Sequence, residues 1–331
     1  MNKLFLAIMA IGIVVLHSCT NNDGYYKTGD VINLHRHTVG NGIAIVFIGD
    51  GFDREDCQKG GVYEDNCRKL AEVFLSLPVI RDFKDYFDIS LRVDVSNERG
   101  VRNCVDNPDK CPDNAYGSGH PDLKWNKIRS NATLAAGKND RSVIFVGNGM
   151  IGGYAMGDVA VYSASEDHKL YWMMHEFVGH IIGRMPDMYV EDGQGHVDAS
   201  VKTTIDNQHL VGELSMLDWR SQPDSVFWKD FIGREGYEKV GIYPSGWYGI
   251  VFGELFTCEP HNSTVMCNHI AAYFTVMERY QLWRQIQTRA GFPATLDKFI
   301  EYDVVNLKET DWSWAPYKSL DWTDERIWTG K

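Results

Sequence analysis

Ile43-Ala44-Ile45-Val46-Phe47-Ile48, closed by Gly49-Asp50-Gly51, is the stretch on which the fold turns. An unbroken apolar run rich in β-branched residues has no polar face, so it suits a strand covered on both sides, and the glycines end it sharply. Working outward, Leu70, Val73, Phe74 and Leu77 take helical spacing, and Ile89 to Val95 alternates as a half-buried strand does. Asn103 to Asp122, rich in Pro, Gly, Asp and Asn, reads as a long loop. Ser142–Val146 and Val159–Ser163 read as further strands, and Lys169–Ile182 as an apolar helix. Interleaved strands and helices imply an α/β fold: a mixed sheet with flanking helices, then a more irregular C-terminal half.

The bulk properties narrow the functional classes. The chain has 331 residues and a net charge of −12, and no basic cluster interrupts the acidic balance. Such a surface repels phosphate backbones, so nucleic acid is not an expected partner. Lys3 precedes an apolar run from Leu4 to Leu16, too short to span a bilayer, and Ser18-Cys19 follows. A charged start, an apolar segment and a small residue before the cut describe an export signal over residues 1–18. The cysteine directly after it resembles a bacterial lipobox, which implies a diacylated Cys19, a membrane anchor and a tether over residues 19–30. The remaining cysteines fall into sequence-local pairs, and an even number in an exported chain predicts the disulfides Cys57–Cys67, Cys104–Cys111 and Cys258–Cys267.

Chemistry concentrates in His175-Glu176-Phe177-Val178-Gly179-His180-Ile181-Ile182-Gly183-Arg184-Met185-Pro186-Asp187-Met188-Tyr189. A hydrolytic zinc site needs imidazole or carboxylate ligands, an open coordination position and a base beside the bound water. The familiar HExxH helix places its histidines at i and i+4, whereas these stand at i and i+5. On a regular α-helix that spacing separates them by about 140° of arc. Both can reach one ion only if the helix widens into π-like turns or unwinds at Gly179, a residue able to permit either. A turn at Gly183 can bring Asp187 back towards the ion as third ligand. His196, Glu191 and Asp192 are alternatives in the following loop.

This signature resembles the active-site motif of the immunoglobulin A peptidase family of zinc metallopeptidases. Similar blocks occur at Gly40–Phe52, Arg81–Phe87, Ser96-Asn97-Glu98 and Pro260–Met266. The resemblance implies a metzincin-like catalytic domain over residues 31–331, with subdomains of about 31–190 and 191–331. It implies Zn2+ held by His175, His180 and Asp187, with Glu176 as general base. It further implies Met266 in a Met-turn beneath the metal and an edge strand for substrate at Val159, Ala160 and Val161. Tyr189 is a candidate oxyanion donor, with a packed tyrosine as its structural alternative. Met188 stands where the family prefers Glu. The implied substrate is a protein or glycoprotein outside the cell, immunoglobulin A among the candidates, and a monomer is expected. A lipoprotein that keeps the fold only to capture glycan or host protein is the rival reading.

Two other features have plainer readings. Gly147–Gly152 satisfies GxGxxG after a strand, yet a strand-like run follows where a dinucleotide site needs a helix N-terminus. Trp312, Trp314, Trp322 and Trp328 read as residues packed on their own domain.

Overall fold

The computed structural model describes residues 24–101, 112–117, 123–149, 153–164, 172–190, 195–268 and 273–307. Cys19, Cys104, Cys111, Glu191, Asp192 and the C-terminal tryptophans from Trp312 onward lie outside the described residues, as does the export segment.

A six-stranded mixed sheet runs β1-β3-β2-β4-β6-β5. Its strands are β1 (Val31–His35), β2 (Ile43–Asp50), β3 (Phe87–Arg92), β4 (Arg141–Gly147), β5 (Tyr154–Met156) and β6 (Val159–Ser163). The four inner strands are parallel, and the two outer ones, β1 and β5, run antiparallel to their neighbours.

Every residue of β2 is buried because both faces are covered. Ile43, Ile45 and Phe47 enter the larger core with helix α1 (Val62–Ser76) and helix α3 (Met173–Ile182). Val46 and Ile48 enter a second core under helix α2 (Trp125–Ala136), against Ile128 and Ala132. The continuous apolar run is therefore the trace of a strand between two helical layers. β3 alternates buried and partly buried positions, as its sequence does. The Phe74 ring ties α1 to β3 and α3, meeting Phe87 edge-on at 5.0 Å and Phe177 at 5.4 Å. Burying a ring of this size contributes roughly 1.5–3 kcal/mol.

The C-terminal half is more regular than its sequence suggests. It holds helix α4 (Ala199–Val211), a hairpin of β7 (Tyr243–Trp247) and β8 (Ile250–Thr257), helix α5 (Val276–Ala290) and helix α6 (Leu296–Leu307). A Thr275–Glu278 capping box starts α5. Val276, Met277, Leu282 and Ile286 of this helix belong to the same core as the sheet. Among the described residues no helix is long and apolar enough to cross a membrane.

The fold departs from two expectations. β6 is no edge strand: Val159, Ala160 and Val161 pair with β4 on one side and with Met156, Ala155 and Tyr154 of β5 on the other. The edge is β5, which ends the sheet. Cys57, Cys67, Cys258 and Cys267 are free thiols, so the expected Cys57–Cys67 and Cys258–Cys267 bridges are not formed. Cys57, Cys67 and Cys258 lie buried in the apolar core, where a thiol behaves as a small hydrophobe.

Candidate metal centre

α3 is wound as a π-helix along its whole length. Its closing bond runs from Gly183 N–H to Val178 O at 2.8 Å, a step of five residues. That winding brings residues five apart into register and resolves the i, i+5 spacing: His175 and His180 meet with ring centroids 4.8 Å apart. Gly179 has a specific reason to lack a side chain. A Cβ there would stand 2.3 Å from Met266 Sδ, so the fully buried Met266 packs directly against the helix backbone. The chain then reverses at Arg184, with φ 53°, rather than at Gly183, whose φ is −83°. A non-glycine residue in that region carries strain that its surroundings must hold.

The reversal returns Asp187 to the histidines. Its Oδ1 lies 3.1 Å from His175 Nε2 and 3.2 Å from His180 Nε2, and the two Nε2 atoms are 3.2 Å apart. Of the alternatives for a third ligand, His196 is instead paired with Glu254 at 2.5 Å on an exposed surface. Among the described residues His175, His180 and Asp187 form the grouping of potential metal ligands, all ligand atoms within 4.8 Å of one another.

The protons of the two rings follow from their outer partners. His175 Nδ1 faces Val265 O and His180 Nδ1 faces Met185 O, each at 2.8 Å. A carbonyl only accepts, so each Nδ1 carries the hydrogen and each neutral Nε2 presents a lone pair. Two imidazole lone pairs and a carboxylate oxygen thus point at one spot, an arrangement that favours a positive charge there, whether a metal ion or a proton. Zn2+ fits this donor set of two nitrogens and one oxygen, as do other divalent metals. With protons alone, the same demand appears as pKa shifts. Burial opposes the charge on Asp187, but hydrogen bonds from His175 and His180 hold its carboxyl well below the usual range. Burial also opposes charging His180, and Asp187 more than reverses this, raising its pKa.

Glu176 sits beside the cluster, its Oε2 3.9 Å from His180 Nε2. Burial raises its pKa; the two histidines and the Ala155 N–H of the edge strand β5 act against that rise. Tyr189 lays its ring nearly parallel to His175, at 18° and 6.3 Å between centroids. Met188 is fully buried in the main core, and its N–H donates to Met266 O at 3.0 Å. A carboxylate at this position would be desolvated, which accounts for the apolar residue.

Sequence reasoning missed the supports behind the ligands. Gln281 of α5 is fully buried, and its Nε2 donates to Gly183 O at 2.8 Å and Arg184 O at 2.9 Å, across the strained residue. Its Oε1 accepts from Ser215 N and Oγ, each at 3.1 Å. Glu278 accepts from Thr264 Oγ1 at 2.6 Å, and Thr264 Oγ1 accepts from Met266 N at 3.1 Å. The segment carrying Val265 and Met266 is thereby fixed to the start of α5. The Thr-x-x-Glu spacing at 275–278 was the one local signal for any of this. Neither a protein-family model nor a curated protein matches this chain.

Proposed function

We propose that this protein is a zinc-dependent endopeptidase of the metzincin-like kind, and that its resemblance to the immunoglobulin A peptidase signature reflects kinship. The observation that carries the reading is the convergence of two Nε2 lone pairs and the Asp187 carboxylate on one point, with Glu176 alongside. A bound zinc ion supplies Lewis-acid polarisation of a carbonyl and a lowered pKa for water. His175, His180 and Asp187 hold the ion, their outer hydrogen bonds keeping each ring in one tautomer and orientation. Glu176 takes the proton of the attacking water and returns it to the leaving amine, a task suited to a half-buried carboxylate of raised pKa. Tyr189, stacked on His175, is the nearby phenol available to the oxyanion.

An extended polypeptide is the substrate class that fits. β5 ends the sheet, and its Ala155 N–H already reaches Glu176, so a chain laid along β5 has its backbone beside the catalytic carboxylate. In this reading the chain is exported and held at a bacterial membrane through a lipid on Cys19, and its targets are extracellular proteins or glycoproteins.

Zinc-loaded protein incubated with a random peptide library should yield internal cleavages. Glu176→Gln should keep the metal while cutting at least about a hundredfold more slowly. Stoichiometric zinc with no cleavage of any peptide would instead favour the capture lipoprotein.

A further inference from the structure

The short turn His261–Ser263 follows Pro260 and sets a second imidazole against the same segment that supports His175. His261 is buried at 6% exposure. Its Nδ1 lies 3.0 Å from Ser245 Oγ of β7, and its Nε2 lies 2.8 Å from Cys267 Sγ. Ser245 Oγ donates its own proton to Gly246 O at 3.3 Å, so it accepts from Nδ1–H and leaves Nε2 free to accept the thiol proton. The result is a directed chain from Cys267 through His261 to Ser245, in which a nucleophile faces a base and the base is oriented by a third group. Asn262, at 5% exposure, turns its amide to the same thiol, with Oδ1 3.6 Å from Sγ. The Nδ2 of that amide has no hydrogen-bond partner, a costly state for a buried donor. Cys267 is partly exposed, whereas Cys57, Cys67 and Cys258 are sealed at 1%, 0% and 0%.

We propose that Cys267, His261, Ser245 and Asn262 form a nucleophilic thiol site, distinct from the metal centre, that reacts with small peroxides. Burial pushes the thiol up to about 12 and the imidazole down to about 4, so the resting pair is neutral. The thiol proton therefore leaves only as the sulfur attacks. Sγ forms a bond to one peroxide oxygen while the O–O bond breaks. His261 takes the thiol proton and delivers it to the departing oxygen. Sulfur is oxidised by two electrons to the sulfenic acid and the peroxide is reduced to water or an alcohol. Cys267 is only partly exposed and its partner His261 is buried, which favours a small electrophile.

The test uses the full chain, hydrogen peroxide and a carbon-acid trap for sulfenic acid, with the labelled cysteine located by peptide mass mapping. Cys267 should label at least about tenfold faster than Cys258 under native conditions. His261→Gln should slow that labelling about tenfold or more. Ser245→Ala keeps the imidazole and loses only its orientation, and it should slow labelling in the same direction. Zinc content measured on each variant should stay at the wild-type level, which separates this site from the metal reading. Equal labelling in wild type and both variants would overturn the proposal, as would native protein with Cys267 unlabelled or already bonded to Cys258.

Discussion

Two imidazole clusters lie along the segment Thr264–Cys267, and they differ in where their protons point. At the metal-side cluster, Val265 O and Met185 O absorb the Nδ1 hydrogens of His175 and His180, leaving three acceptors and no donor at the centre. At the other, Ser245 takes the Nδ1 hydrogen of His261, and the Nε2 lone pair is met by the thiol of Cys267. One cluster is short of positive charge; the other is balanced by a single shared proton. Under the two proposals, the same side chain serves a metal or proton transfer according to the group that faces its second nitrogen.

The sharpest way to break this comparison is to remove one member from each cluster. Asp187→Ala should weaken zinc binding by about a hundredfold or more, whereas His261→Ala should leave zinc affinity within about threefold of wild type. Competition titration with a chromophoric chelator measures both, and equal losses would mean the clusters are not separate.

A weaker effect is expected one layer out. Gln281→Met keeps the volume but removes both donors to the Gly183 and Arg184 carbonyls, so the return of Asp187 is no longer braced. Zinc affinity should fall by about tenfold to a hundredfold. The ordinary cost of the buried polar loss would appear separately as a lowered melting temperature. Unchanged affinity with lowered melting would reduce Gln281 to a packing role.

The smallest effect is a pH dependence. Burial raises Glu278 to about 7, above the usual glutamate value. Its folded form therefore holds a proton more tightly than its unfolded form. The stabilising contribution is full below about pH 4, the unfolded pKa, and is lost as pH rises through about 7. Glu278→Gln cannot ionise, so its melting temperature relative to wild type should improve by a few degrees from pH 5 to pH 8. A constant difference between the two proteins across that range would contradict the assignment.

How much of this was legible depended on how local each cause is. β2, β4 and β6 carry their apolar runs on consecutive residues, and α1 repeats its apolar residues at helical spacing, so all four show in the sequence. The i, i+5 spacing about Gly179 left two ways for both histidines to meet, a widened helix or one unwinding at Gly179, and α3 takes the first. The edge was misread because β5 has only three residues and follows a glycine-rich stretch, too short to display alternation. α2 was missed because it buries little more than Ile128 and Ala132. The pairs Cys57–Cys67 and Cys258–Cys267 were misread because parity counts thiols without knowing where each side chain goes, and Cys67 goes into the core on α1. Gln281 and Glu278 act on residues far away in the chain, and no local pattern records such a contact.

The π-winding of α3 makes this part of the chain intolerant of changes in length. Removing one residue between His175 and His180 would restore the i, i+4 interval that an ordinary helix needs for two ligands. Within the π-winding, however, it would turn everything beyond the cut, His180 included, by roughly a quarter-turn. Ile181 and Ile182, now in the core, would swing out of it, and the chain reversal at Arg184 would begin from a different face. Ligand spacing and the packing of the last helical turn are therefore written in a single reading frame, and an insertion or deletion here displaces both together.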